Sequence, residues 1–180
     1  FFFKQKTAYE IVDCDWSSDV CSSDLTLSEA RLLIAGGGSE EGALREMAAS
    51  SGVADRVTFL GPMSQDELVT AYCAADVMVL ASRSEGWANV LLESMACGTP
   101  VVASKVGGTP EVVASAEAGI LMQSRTVAGV VDAIRQLLAS YPDRQATRRY
   151  AEQFSWDATT QGQLHLFHEL VSHSSASRSV

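Results

Sequence analysis

The chain has 180 residues, 13 Lys or Arg against 22 Asp or Glu for a net charge of −9, and 47% hydrophobic residues. An acidic balance of this size argues against a general nucleic-acid footprint, and no apolar run approaches the roughly 18 residues of a membrane-spanning helix. The length suits one domain with a sizeable core.

Residues 1–25, FFFKQKTAYEIVDCDWSSDVCSSDL, keep neither a period of 2 nor one of 3.6. Phe1 to Ile11 and Cys14 to Leu25 resemble the translation of a sequencing-library adapter, two blocks in adapter order with three codons between them. The segment is therefore expected to be non-native. Phe1 to Phe3 is too short for the apolar core of a signal peptide. Setting the segment aside removes two lysines and five acids, so −6 of the −9 belongs to the remainder. It also leaves only Cys73 and Cys97, each among small apolar neighbours (AYCAAD, SMACG), which reads as two buried thiols in a reducing compartment. No metal-ligand spacing is present, and no cofactor or metal is expected.

From Thr26 onward, short β-rich runs alternate with helical patterns. Strands are predicted at RLLIAG (31–36), RVTFLG (56–61), DVMVLAS (76–82), TPVVAS (99–104) and AGILM (118–122). Successive apolar positions mean strands buried on both faces, hence a parallel sheet between helices. Glu40 and Glu41 open one helix, where the macrodipole favours acids. Ser64 and Glu67 form a capping box for a helix over about 65–75, with Met63 and Leu68 at staple positions. A further helix starts near Asn89. Thr109 is expected to cap a turn that begins with Pro110. The spacing of Val127, Val130, Val131, Ile134, Leu137 and Leu138 predicts a helix over about 126–140. PDRQATRRYAEQF and SWDATTQGQLHLFHELV close the chain, with Ser155 as cap of the last helix and disorder expected in the polar tail 174–180.

In doubly wound sheets, ligands sit outside the carboxyl ends of the strands, against helix N-termini. The loop from Arg83 to Ala88 occupies such a position. It carries Glu85, a permissive Gly86 and the aromatic face of Trp87, while Glu93 lies about one turn inside the following helix. Two carboxylates and a helix start suit a ligand that has both hydroxyls and phosphates. The same spacing also fits a solvated acid and ordinary dipole compensation.

The stretch ASRSEGWANVLLESMACGTPVVASKVGGTPEVV (81–113) resembles the signature of family 4 glycosyltransferases of GT-B architecture, with its Glu-x7-Glu motif. The similarity extends over 31–172, including LLIAGGG, VTFLGPMSQDELVTAYCAADVMVLAS and FSWDATT. It implies a Rossmann-like doubly wound parallel sheet forming the C-terminal, nucleotide-sugar-binding half of GT-B over 26–173. The strand order would be 3-2-1-4-5-6, with the first, central strand missing. The chain as written is then expected to fold poorly and to be inactive, lacking its N-terminal GT-B partner domain.

The resemblance further implies transfer from a UDP- or GDP-sugar donor, with retention, to a glycan or lipid-linked acceptor. Glu85 would hold hydroxyls of the transferred sugar near the reacting carbon, and Glu93 would accept from the ribose hydroxyls. The amides of Gly86, Trp87, Ala88, Asn89, Val90 and Leu91 would face sugar and diphosphate. Gly61, Pro62 and Met63 would line the nucleobase, and Gly107 and Gly108 would form the family's glycine turn, with Glu111 at its acidic position. Ala88-Asn89 departs from the commoner glycine. The family's Arg and Lys after the first strand have no counterpart here, since Lys4 and Lys6 belong to the adapter-like segment. Arg83 and Lys105 read as solvated loop charges.

The resemblance suggests a cytoplasmic enzyme, peripheral at the inner membrane face. The basic face of Arg144, Arg148 and Arg149 is a candidate contact with anionic lipid, although a solvated helix face explains it as well. Competing readings are a dinucleotide fold built on Gly36 to Gly38, whose GGGSEEG does not match G-x-G-x-x-G, a GT-B-fold epimerase or phosphorylase, and a noncatalytic nucleotide-sugar-binding relic. His165 and His168 on the last helix read as solvated.

Overall fold

The computed structural model describes residues 2–4 and 30–176. The rest of the 1–25 segment, the expected domain start at 26 and tail residues 177–180 lie outside the described residues.

Among the described residues, six strands form one sheet in the order β3-β2-β1-β4-β5-β6. They are β1 (Phe2–Lys4), β2 (Arg31–Ala35), β3 (Val57–Gly61), β4 (Val77–Leu80), β5 (Val101–Ser104) and β6 (Gly119–Met122). The pairs β2–β3, β4–β5 and β5–β6 are parallel. β1 is antiparallel to both β2 and β4, which therefore run the same way as each other. Five strands thus point their carboxyl ends at one edge, in the expected order.

The central slot departs from expectation. It is not vacant, because Phe2 pairs with Leu33 and Met78, and Phe3 with Leu32 and Val77, so the facing edges of β2 and β4 are hydrogen-bonded rather than bare. A strand edge accepts any extended backbone that reaches it. The pairing runs through main-chain groups, so no side-chain pattern in residues 2–4 announces it.

The inner strands are buried on both faces, as a parallel sheet between helix layers requires. Met78, Val101 and Ala103 pack on one side with Tyr72, Leu91 and Met95. Val77, Val79 and Val102 pack on the other with Val130, Ile134 and Leu137. The alternation follows from the two-residue strand period. Burying a side chain the size of Leu91, Met95 or Ile134 contributes about 1.5–3 kcal/mol each.

The helices are α1 (Glu41–Ser50), α2 (Gln65–Ala74), α3 (Asn89–Ala96), α4 (Thr109–Val112), α5 (Val127–Ala139), α6 (Arg144–Ala151) and α7 (Trp156–Ala176). At the start of α2 the Ser64 amide donates to Glu67 Oε2 at 2.7 Å and the Glu67 amide to Ser64 Oγ at 3.4 Å, which is the expected capping box. Met63 and Leu68 both pack against the core beneath it. Thr126 caps α5 by accepting from the Gly129 amide, and Asp143 caps α6 by accepting from Ala146. α7 runs to Ala176, so three residues of the 174–180 tail are helical where composition suggests disorder.

Three side chains sit otherwise than expected. Thr109 is inside α4 and caps nothing; its hydroxyl lies 2.6 Å from the Ser104 carbonyl and 2.7 Å from that of Val106 and accepts from the Val106 amide, bracing the loop instead. Cys73, at the end of α2, is exposed, and Cys97, at the end of α3, is only half-buried where it packs against the edge of the core. Burial of Cys97, reinforced by the neighbouring Cys73 thiol and opposed by Arg144 and Arg148, pushes its thiol up to about 11.

Arg144 is no part of a solvated face. Its guanidinium donates to the carbonyls of Ala75 (2.8 Å), Cys73 (3.0 Å) and Cys97 (3.4 Å) and to Thr99 Oγ1 (2.7 Å). The last turns of α2 and α3 have carbonyls without intrahelical partners, and one cation satisfies both sets. Arg148 instead forms an exposed ion pair with Glu152 at 3.0 Å.

Candidate functional site

The loops leaving β2 to β6 share one edge of the sheet. Ser104 Oγ at the end of β5 donates to the Ser82 carbonyl at 2.6 Å, which ties the ends of β5 and β4 together. The loop after β4 then meets the loop after β5 backbone to backbone. The Gly108 amide donates to the Gly86 carbonyl at 3.0 Å. A Cβ on Gly107 (φ +50°) would overlap the Glu85 carbonyl oxygen, and one on Gly108 would lie 2.8 Å from the Gly86 oxygen and 3.0 Å from the Trp87 ring. Only glycine permits this approach, so Gly107 and Gly108 fix where Glu85, Gly86 and Trp87 stand.

Trp87 lies across Gly108, with its ring centroid 6.3 Å from that of Phe154, and Phe154 meets Tyr150 edge-on at 5.5 Å. Tyr150 is anchored through its hydroxyl to the Val112 carbonyl at 3.1 Å. Trp87 remains 46% exposed, so this aromatic row supports the indole while leaving it accessible.

α3 begins at once behind Trp87. Its N-cap, Ala88, is buried and offers no side-chain acceptor, so the helix start is uncapped by side chains. That leaves positive helix-end potential at the mouth of the sheet. Of the amides from Gly86 to Leu91, those of Asn89 and Leu91 are taken up within the turn by the Trp87 and Ala88 carbonyls, each at 3.0 Å. The expectation that all six face a ligand does not hold for these two.

Glu85, in the loop, and Glu93, in the second turn of α3, are both half-buried. Glu93 Oε2 accepts from the Tyr72 hydroxyl at 3.3 Å. At the other end of the edge, the loop after β3 lies against the loop after β2. The Gly36 amide donates to the Gly61 carbonyl at 2.8 Å, and a Cβ on Gly37 would rest 3.8 Å from the Pro62 ring. Met63 turns inward to the core, leaving Gly61 and Pro62 at the rim. The β3 and β4 loops are three strand spacings apart, about 14 Å.

Glu111 is exposed in the first turn of α4. Arg83 and Lys105 are exposed in the flanking loops. Lys4 pairs with Arg31 at the start of β2, which places it at the edge opposite these loops, so β1 brings no cation to the site. Among the described residues, no group of three or more His, Cys, Asp or Glu could hold a metal ion, and no helix is long and apolar enough to cross a membrane.

Sequence reasoning missed Tyr72, Thr99 and Phe154. For Tyr72 a signal existed, since a tyrosine on an apolar helix face seeks a partner for its hydroxyl. For the other two the contacts lie far along the chain.

Sheet order, helix layers and loop edge define a Rossmann-like α/β domain of the GT-B type. The chain belongs to the family described as glycosyl transferases group 1, whose model matches residues 20–154. The D-inositol 3-phosphate glycosyltransferase of Mycolicibacterium smegmatis is 41% identical over 140 residues, covering 74% of this chain and 32% of the relative. That of Rhodococcus jostii is 42% identical over 147 residues, covering 76% and 32%. The chain thus spans about a third of the length of these curated relatives. Among solved structures, the sucrose-phosphate synthase of Thermosynechococcus elongatus superposes with a TM-score of 0.73 at 27% identity, covering 93% of this chain and 46% of that one. Anabaena Alr3699/HepE in complex with UDP gives 0.73 at 20% identity, covering 91% and 49%, a likeness of fold.

Proposed function

We propose that this domain binds the donor of a retaining glycosyltransferase, a UDP- or GDP-sugar, for transfer to a glycan, lipid-linked or inositol phosphate acceptor, the last being the substrate for which the relatives from M. smegmatis and R. jostii are named. The observation that carries the reading is the backbone junction of Glu85 and Gly86 on Gly107 and Gly108, directly before an uncapped helix that bears Glu93.

Each part has a chemical task. A carboxylate only accepts hydrogen bonds, so Glu93 suits ribose hydroxyls and Glu85 suits hydroxyls of the transferred sugar. Diphosphate belongs at the α3 start, where helix-end potential and the remaining amides offset charge growing on the leaving group. Gly61 and Pro62, about 14 Å along the edge, suit the base of an elongate ligand. The uncapped helix end favours the departing diphosphate, which carries more negative charge than the intact donor, as transition-state stabilisation demands. Arg144 does not serve membrane contact in this reading, since its guanidinium is engaged internally.

Calorimetric titration with UDP, GDP, UDP-glucose and GDP-mannose tests the reading. Glu93→Ala is expected to weaken the nucleoside diphosphate itself by about tenfold or more. Glu85→Ala is expected to remove only the affinity that the sugar adds. Binding unchanged in both variants would overturn the assignment.

A further inference from the structure

Tyr72 projects from α2 into the core below α3 and is only 2% exposed. Its ring packs with Leu91, Met95 and Val101, and its hydroxyl emerges beside Glu93, donating to Oε2 at 3.3 Å. The Tyr72 backbone is held as firmly as its side chain. Its carbonyl accepts from the buried Thr99 hydroxyl at 2.6 Å, and the same hydroxyl receives a 2.7 Å hydrogen bond from Arg144. Ser94, one residue beyond Glu93, donates its hydroxyl to the Thr99 carbonyl at 3.0 Å. The tyrosine and the helix bearing the glutamate therefore share one buried anchor at Thr99. With two side-chain torsions, both set by core packing, the phenol is a rigid donor.

A phenol has one proton to give, whereas a carboxylate has about four acceptor sites over two oxygens. The Tyr72 proton occupies one site on Oε2. Oε1 has no partner among the described residues and can accept from a ligand, and the contact at Oε2 restricts the plane in which it points. Two adjacent hydroxyls of one ring meet a carboxylate best when that plane is fixed beforehand, because ordering a glutamate on binding costs side-chain entropy.

From this geometry we infer that Tyr72 is a positioning residue: it orients Glu93 so that the carboxylate selects a ligand carrying a vicinal ribose diol over its deoxy counterpart. The inference rests on the donor-binding reading above and adds the residue that sets its ribose selectivity. A site arranged to accept from a hydroxyl discriminates against the analogue that lacks it, since the acceptor is then left unpaired.

The test titrates the 180-residue chain with UDP and 2′-deoxy-UDP, and with the guanosine pair, in the parent, Tyr72→Phe, Glu93→Gln and the double variant. Tyr72→Phe keeps the ring and deletes one hydroxyl. It is expected to weaken ribonucleotide binding about 5- to 20-fold, to leave deoxynucleotide binding nearly unchanged, and so to collapse the ribose preference. In the Glu93→Gln background the same change is expected to have no further effect on the preference. Thermal melts separate this from loss of packing. Equal weakening of both nucleotides with a lowered melting temperature would mean that Tyr72 is merely structural and would overturn the inference. So would a Tyr72→Phe variant that keeps the parent's preference while Glu93→Gln loses it, with the donor-binding reading intact. Parental binding in Glu93→Gln would instead remove the reading itself.

Discussion

Replacing Gly107 with alanine tests fold and site together. The Gly107 φ of +50° costs an L-residue with a Cβ roughly 1–2 kcal/mol. The new methyl would overlap the Glu85 carbonyl oxygen and lie 2.8 Å from its carbon, where about 3.5–4.0 Å is needed between carbons. The two loops must part by about 1 Å. That stretches the 3.0 Å hydrogen bond from the Gly108 amide to the Gly86 carbonyl past useful length, a further loss of about 0.5–1.5 kcal/mol. A total near 2–3 kcal/mol lowers the melting temperature by roughly 5–10 °C in a chain of this size. Because displacement is local to Glu85 and Gly86, calorimetry should find UDP bound nearly as before, while the extra affinity of UDP-glucose over UDP disappears. Gly42→Ala is the control: it lies in α1 with open space around it, so it should gain about 0.5–1 kcal/mol and bind as the parent does. A Gly107→Ala variant that melts with the parent and keeps the sugar increment would refute the claim that the two loops define one site.

Arg144→Ala should cost about 2–4 kcal/mol in urea denaturation, because it orphans carbonyls at the ends of both α2 and α3; a loss below about 0.5 kcal/mol would show that water replaces the guanidinium freely. Glu67 is held below the ordinary carboxyl value of 4.5, first by the Ser64 hydroxyl and then by its amide. Its folded value is depressed, so its contribution is present above 4.5 and lost as pH falls through the folded value. The stability difference between the parent and Glu67→Gln should therefore shrink below pH 4.5, and a gap that stays constant down to pH 2 would contradict the capping box. Cys97, raised to about 11 from an ordinary 9, should react with iodoacetamide at pH 8 about a hundredfold more slowly in the folded chain than in urea, as read by peptide mass spectrometry; similar rates would show that burial does not hold the thiol protonated.

The strands were legible because β4 and β5 are apolar at successive positions, the pattern of strands covered on both faces in a parallel sheet. The cap of α2 was legible because Ser64 and Glu67 act within four residues. The two glutamates were placed correctly on loop and helix for the same reason: short-range pattern fixes local position. What escaped was set by distance along the chain. Arg144 reads as one of three basic residues on a helix, and its partners lie between 45 and 71 residues away. Thr109 looks like a cap from its neighbour Pro110, but the Ser104 and Val106 carbonyls claim its hydroxyl. β1 carries no readable pattern, since three residues joined to neighbours through main-chain groups need none.

The Arg144 junction has a consequence for how occupancy at the sheet mouth would spread. Because α6 grips the far ends of α2 and α3, and Glu93 and Tyr72 ride on those two helices, a ligand that stiffens the glutamate would also slow local opening of 143–151. Deuterium uptake along α6 would then register donor arrival at the sheet mouth, with one half-buried guanidinium as the linchpin.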